Sequence, residues 1–157
     1  DYAVDKKTPD WCIFDDKPTI IGIVELTNFH IDRITETEIK RKIAENLMAV
    51  FWRDGKKDNV ERLYHCIRQK ADAYHALIDK LRTPYVISVF GEFQASIDFD
   101  EVRHCLFNEE IGLFEMYPDV SGVLYFQEES GRYFFKYAPN PQALHILDLP
   151  DGVFPAL

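Results

Sequence analysis

A helical stripe with one residue out of place limits what this chain can become. From residue 60 to 82, at about 100° per residue, Leu63, Ile67, Tyr74, Leu77, Ile78 and Leu81 fall on one face. Glu61, Arg68, Asp72, His75 and Asp79 fall on the other. Such a helix must bury its apolar side against another layer. Lys70 lies near the middle of the apolar side. A buried ammonium is unfavourable unless paired, so the layer beneath the helix must offer an anion. The other arrangement open to Lys70 is to run along the stripe and reach solvent.

Two short apolar runs near the start supply candidates for that layer. Residues 11–14 and 19–27 read as strands joined by the turn Asp15-Asp16-Lys17-Pro18. So short a link predicts an antiparallel pair. The second run is apolar almost throughout, which predicts a central strand covered on both faces. Its alternation puts Ile23, Glu25 and Thr27 on one face and Val24 and Leu26 on the other. Pro84 precedes a further strand, 85–90, expected beside 19–27 after the long helix has packed on the sheet. Helices are predicted over 35–52, with Thr35 or Thr37 as cap, and around Glu101–Phe107, with Asp98 or Asp100 near its start. Residues 53–59 read as a polar loop. Residues 121–127 and 133–137 read as a hairpin about Glu129-Ser130-Gly131. The order strand, strand, helix, helix, strand, helix, hairpin describes a single α/β domain over 1–157.

Composition agrees with one core. The chain has 157 residues, 46% of them hydrophobic, with 12 Phe and 8 Tyr, so disorder is not expected. No apolar run reaches the roughly 20 residues of a membrane span, and no membrane partner is expected. The first residue is not Met, so residues upstream are expected. Three widely spaced cysteines, Cys12, Cys66 and Cys105, form neither a CxxC pair nor a disulfide framework. They read as reduced core thiols, and the expected location is cytoplasmic. The net charge of −9 disfavours broad phosphate binding without excluding a local basic patch.

Chemistry is concentrated in the acidic pair. Asp10 follows Pro9 at the head of the first strand, and Glu25 lies near the end of the second. Hard cations such as Mg²⁺ take carboxylate and carbonyl oxygens. Asp10, Glu25 and the Leu26 carbonyl make a candidate set for one Mg²⁺ or Mn²⁺. The plainer reading is that Glu25 is a strand-end acid in solvent and Asp10 a turn residue. His30, His65, His75, His104 and His145 show no zinc spacing, and no glycine-rich phosphate loop is present. His30 follows the Glu25 strand and reads as a solvated loop residue. Lys40-Arg41-Lys42 and Arg53, Lys56 and Lys57 are the basic clusters; such clusters are more often solvated helix ends than nucleic-acid contacts, but these flank the candidate site and could touch phosphates.

Pro9-Asp10, with Glu25-Leu26-Thr27 fifteen positions on, resembles the PD-(D/E)XK motif of the restriction-endonuclease-like nucleases. The likeness runs over roughly 8–90 and includes Ile67-Arg68-Gln69-Lys70, Tyr74 and Pro84-Tyr85-Val86-Ile87, as in uncharacterised bacterial members. It implies a restriction-endonuclease-like core with a mixed central sheet flanked by helices. It implies a Mg²⁺-dependent phosphodiesterase acting on nucleic acid, with Asp10 and Glu25 as metal ligands. Thr27 stands where the motif has Lys. In some members that lysine has moved to the neighbouring helix, which makes Lys70 the replacement, supported by Gln69 or Tyr74. The alternative is an inactive nuclease-fold protein serving as a protein-interaction module. A homodimer or another protein would then be the partner.

Overall fold

The computed structural model describes residues 8–30, 33–45, 55–91, 97–109 and 112–148, with the main chain alone for 55–58. Its elements in order are β1 (Trp11–Phe14), β2 (Ile20–Phe29), α1 (Arg33–Ala44), α2 (Gly55–Leu81), β3 (Tyr85–Gly91), α3 (Phe99–Phe107), α4 (Leu113–Met116), β4 (Gly122–Glu129) and β5 (Arg132–Pro139). The strands form one mixed sheet in the order β1-β2-β3-β4-β5. β1 pairs antiparallel with β2, β3 runs parallel to β2 and to β4, and β5 closes an antiparallel hairpin with β4. The result is an α/β fold with a five-strand mixed sheet flanked by helices. The β1–β2 pairing and the place of β3 beside β2 are as the sequence predicts.

The helix stripe decides the layering. Leu63, Ile67, Tyr74, Leu77 and Ile78 are buried, together with Ile23, Tyr85, Ile87, Val89, Val123 and Tyr125 of the sheet. The registers place Glu25, Ile87, Val123 and Ala138 in one row across the sheet, on this helix-covered face. α3 joins the same layer, with Phe99 edge-on to Tyr125. Asp98 starts α3 with a capping box: its side chain accepts from Glu101 N, and Glu101 returns a bond to Asp98 N.

Several local expectations need correction. β2 is not covered on both faces: Val24 and Leu26, on the side away from α2, are only half-buried. α1 begins at Arg33, so Thr35 and Thr37 lie inside it, and the Thr37 hydroxyl donates back to the Arg33 carbonyl at 2.7 Å. None of its residues is buried: its apolar residues recur at helical spacing, but Ile34 and Ile43 remain exposed. The part of this helix expected over 46–52 lies outside the described residues. The loop expected over 53–59 is already helix from Gly55. The hairpin strands are longer than their apolar residues indicate, since paired main chain carries Glu128, Glu129 and Arg132. Ser130 and Gly131 both have positive φ, 53° and 77°, the geometry that a two-residue turn between twisted strands requires.

The tail after β5 is tied down by polar groups. Asn140 Nδ2 donates to the carbonyls of Tyr117 and Val120 at 3.2 and 2.8 Å. Ser121 Oγ accepts from Tyr85 N at 2.8 Å and donates to the His145 carbonyl at 2.5 Å. Buried polar groups of this kind are satisfied by specific partners rather than by apolar patterning, which is why the sequence shows this segment only as irregular.

Candidate functional site

α2 lies along β2 so that their repeats match. Four residues of helix advance about 6 Å and two residues of strand about 6.6 Å. Successive turns of α2 therefore meet successive inward residues of β2. Arg62 lies over the Phe29 ring, 5.0 Å from its centre. Cys66 Sγ lies 3.2 Å from Thr27 Oγ1. Lys70 Nζ lies 2.5 Å from Glu25 Oε1. One turn further, the Tyr74 phenol donates to the Thr8 carbonyl at 2.9 Å, beside the Pro9-Asp10 step.

Glu25 is the buried member of the ion pair. Its side chain is 5% exposed and that of Lys70 is 30% exposed. Lys70 thus reaches the sheet from the edge of the stripe, with one side open toward solvent. Its own main chain is fixed as well: the buried Tyr85 phenol donates to the Lys70 carbonyl at 3.1 Å.

Asp10 and Glu25 are linked reciprocally across the β1–β2 pair. Asp10 N donates to Glu25 Oε2 at 3.1 Å, and Leu26 N donates to Asp10 Oδ2 at 2.8 Å. The strand register explains the second bond. Trp11 is opposite Val24, so extending the pairing would set Pro9 opposite Leu26. Pro9 has no N–H and cannot pair the Leu26 carbonyl, while the Asp10 carboxylate takes the Leu26 N–H. A strand residue's N–H and C=O point to the same side, so that carbonyl faces the edge where Asp10 sits. Proline before the acid thus ends the β1–β2 ladder at the Leu26 carbonyl.

Two tyrosines are shaped by this cluster. Burial, and then the charge of Glu25 with its hydrogen bond, push the Tyr74 phenol up to about 12. Burial and the Glu25 charge raise Tyr85 further. Both remain neutral donors through the physiological range. The same sign holds for Tyr137 and Cys105, each pushed up to about 12, and for Tyr125, raised too, all chiefly by burial.

That sign predicts alkaline unfolding. An unfolded tyrosine loses its proton near 10 and an unfolded cysteine near 9. Above those values the unfolded state binds fewer protons than the folded one, so stability falls as pH rises toward 12. Each buried group contributes a slope of about 1.4 kcal/mol per pH unit. Urea midpoints should therefore hold to pH 9 and drop steeply by pH 11, with the tyrosinate absorbance of the buried tyrosines appearing together with unfolding. Smooth titration of all eight tyrosines near 10 with an unchanged midpoint would contradict the burial pattern.

Gln69 is exposed on α2, about 100° round the helix from Lys70. His30 lies five residues beyond Glu25, about 16 Å along the strand, and its carbonyl accepts from the Arg62 guanidinium. Lys40 pairs with Glu36, and Arg41 with Glu38 and Glu45, so these cations are engaged within α1. Arg53 lies outside the described residues, as do the side chains of Lys56 and Lys57. Cys12, Cys66 and Cys105 are free thiols. Among the described residues no group of three or more His, Cys, Asp or Glu is placed to hold a metal. Asp10, Glu25 and the Leu26 carbonyl offer two carboxylates and one carbonyl oxygen, which suits a cation that keeps several waters. No described helix is long and apolar enough to cross a membrane.

Cys66, Tyr85 and Thr8 belong to the surroundings of the site, and the sequence pattern did not assign them to it. Cys66 had a readable signal, since it stands four residues before Lys70 as Tyr74 stands four after. Tyr85 and the Thr8 carbonyl had none, because their roles depend on tertiary contact. Comparison with known protein families, curated proteins and solved structures gave no match. The geometry of Asp10, Glu25, Leu26 and Lys70 therefore carries the functional argument.

Proposed function

We propose that the protein is a Mg²⁺- or Mn²⁺-dependent phosphodiesterase of restriction-endonuclease-like type acting on nucleic acid. The observation that carries this reading is the Lys70 ammonium at 2.5 Å from Glu25 Oε1, delivered from a helix to a strand whose motif position Thr27 lacks a charge. Asp10, Glu25 and the Leu26 carbonyl would hold the cation. The cation would supply a more acidic water and offset charge on the phosphate. The Lys70 ammonium has three N–H donors and no acceptor, so it would orient the attacking water through the water oxygen and face the negative charge that builds on the phosphate oxygens. Glu25 fixes that ammonium through Oε1. The peptide N–H of Asp10 fixes Glu25 through Oε2. Tyr74 holds the chain at Thr8 and so the arm that carries Asp10. Thr27, engaged with Cys66, has a secondary part.

Calorimetric titration with Mn²⁺ tests the reading before any substrate is known. The wild-type chain should bind the ion, and Asp10→Ala should weaken binding at least about 10-fold, with cleavage of single- or double-stranded DNA or RNA lost in parallel. A wild-type chain that binds no Mn²⁺ and cleaves none of these substrates would support the other reading, an inactive nuclease fold that serves as an interaction module.

A further inference from the structure

The residue that follows Asp10 is a tryptophan in the open. Trp11 is 53% exposed, and its indole has no ring or hydrogen-bond partner among the described residues. It lies opposite Val24, so it stands on the sheet face away from α2. Its cross-strand and diagonal neighbours there, Val24 and Leu26, are half-buried. Ile13, two residues along on the same face, lies over Gly22, with its Cδ1 3.5 Å from where a Cβ would stand, and is 41% exposed. The edge strand thus carries an apolar strip whose aromatic end adjoins the candidate cation ligands.

We propose that Trp11 is a base-stacking residue and that the substrate class is single-stranded nucleic acid, the base beside the held phosphate lying on the indole. The proposal rests on the phosphodiesterase reading for the place of that phosphate. Leu26 joins the two halves of the site. Its carbonyl faces the edge where Asp10 sits, and its side chain lies on the face that carries Trp11. β1 is the outermost strand, so a nucleic-acid strand can pass round it from one face to the other. The Asp10 and Trp11 Cα atoms are about 3.8 Å apart, and a base is one sugar away from its phosphate. A phosphate at the cation therefore leaves the adjoining base within reach of the indole.

Two features disfavour a duplex. Its bases are paired and stacked, and one must be turned out before it can lie on a side chain. Duplex binding also draws on many cations to neutralise the backbone. Here the net charge is −9, and Lys40, Arg41, Arg62 and Arg68 are engaged within the chain. Stacking on an aromatic ring asks for no such charge and accepts any base, since every base has a π-face.

Fluorescence anisotropy of a labelled DNA strand of mixed sequence, in EDTA, tests the stacking with neither cation nor cleavage. The wild-type chain should bind the single strand at least about 10-fold more tightly than its duplex. Trp11→Ala and Trp11→Leu should each lower affinity for the single strand at least about 5-fold. Trp11→Phe, which keeps a ring face, should retain most of it. Duplex affinity, circular dichroism, melting temperature and calorimetric Mn²⁺ binding should be the same in all of these chains, because the side chain is exposed and holds no cation. A wild type that binds no single strand or prefers the duplex overturns the proposal. So does a Trp11→Leu chain that binds the single strand as the wild type does. If Mn²⁺ binding and cleavage persist beside such a result, the phosphodiesterase reading stands and the stacking falls. Trp11-dependent binding of single strands by a chain that takes up no Mn²⁺ would support the stacking and overturn the phosphodiesterase reading.

Discussion

Replacing Lys70 with Met will abolish the proposed metal-dependent cleavage of nucleic acid while the chain still folds. Met keeps the length and apolar stem of the side chain and removes only the ammonium. Removal of one preorganised donor facing developing charge lowers turnover by about 10²–10³. The loss should appear in kcat, because the ammonium matters most when the phosphate charge has built up. Mn²⁺ binding should survive, since Asp10, Glu25 and the Leu26 carbonyl are untouched. Thr27→Val should act far less, because its hydroxyl is engaged with Cys66 Sγ at 3.2 Å. Full activity in Lys70→Met, with a folded chain, would remove Lys70 from the mechanism. Equal loss in both variants would point to disturbance of the α2–β2 seam instead.

The parts of this site that were legible in sequence share a physical reason. Lys70 broke a helical pattern, and Glu25 broke a strand pattern. Each break concerns a charge in an apolar row, where burial makes it unfavourable without a partner. Two such breaks on adjacent layers are natural partners, and the structure pairs them. Asp10 was visible through Pro9, since proline fixes where a strand can begin. The α2 stripe predicted buried Leu63, Ile67 and Ile78, and these residues are in the core. What could not be read is of another kind. Residues 113–116 are too short for a helical period and form α4. α1 has apolar residues at helical spacing, yet Ile34 and Ile43 are exposed, because periodicity does not state whether a face finds a layer to cover. The Tyr85 phenol on the Lys70 carbonyl depends on how α2 sits over β3, a tertiary contact that no local pattern states.

The Glu25–Lys70 pair should prove unfavourable to the fold on balance, and a pair of variants can show it. Glu25 is 5% exposed at its side chain, and an ion in that setting gives up most of its hydration. Lys70→Met leaves this carboxylate without a cation, its contacts reduced to the Asp10 N–H and the neighbouring Tyr74 phenol, and should destabilise the chain by about 2–3 kcal/mol, less than for a fully buried pair because Lys70 is 30% exposed. Adding Glu25→Leu removes the orphan charge. The double variant should then be at least as stable as the wild type, although inactive and unable to bind Mn²⁺. Urea unfolding of the wild type, Lys70→Met, Glu25→Leu and the double variant measures each step, and the cycle isolates the coupling. Recovery of stability with loss of metal binding would mean that the pair is kept at this seam for chemistry. A double variant weaker than either single one would mean that the ion pair is a stabilising contact in its own right, and the functional reading would have to rest on metal binding and cleavage alone.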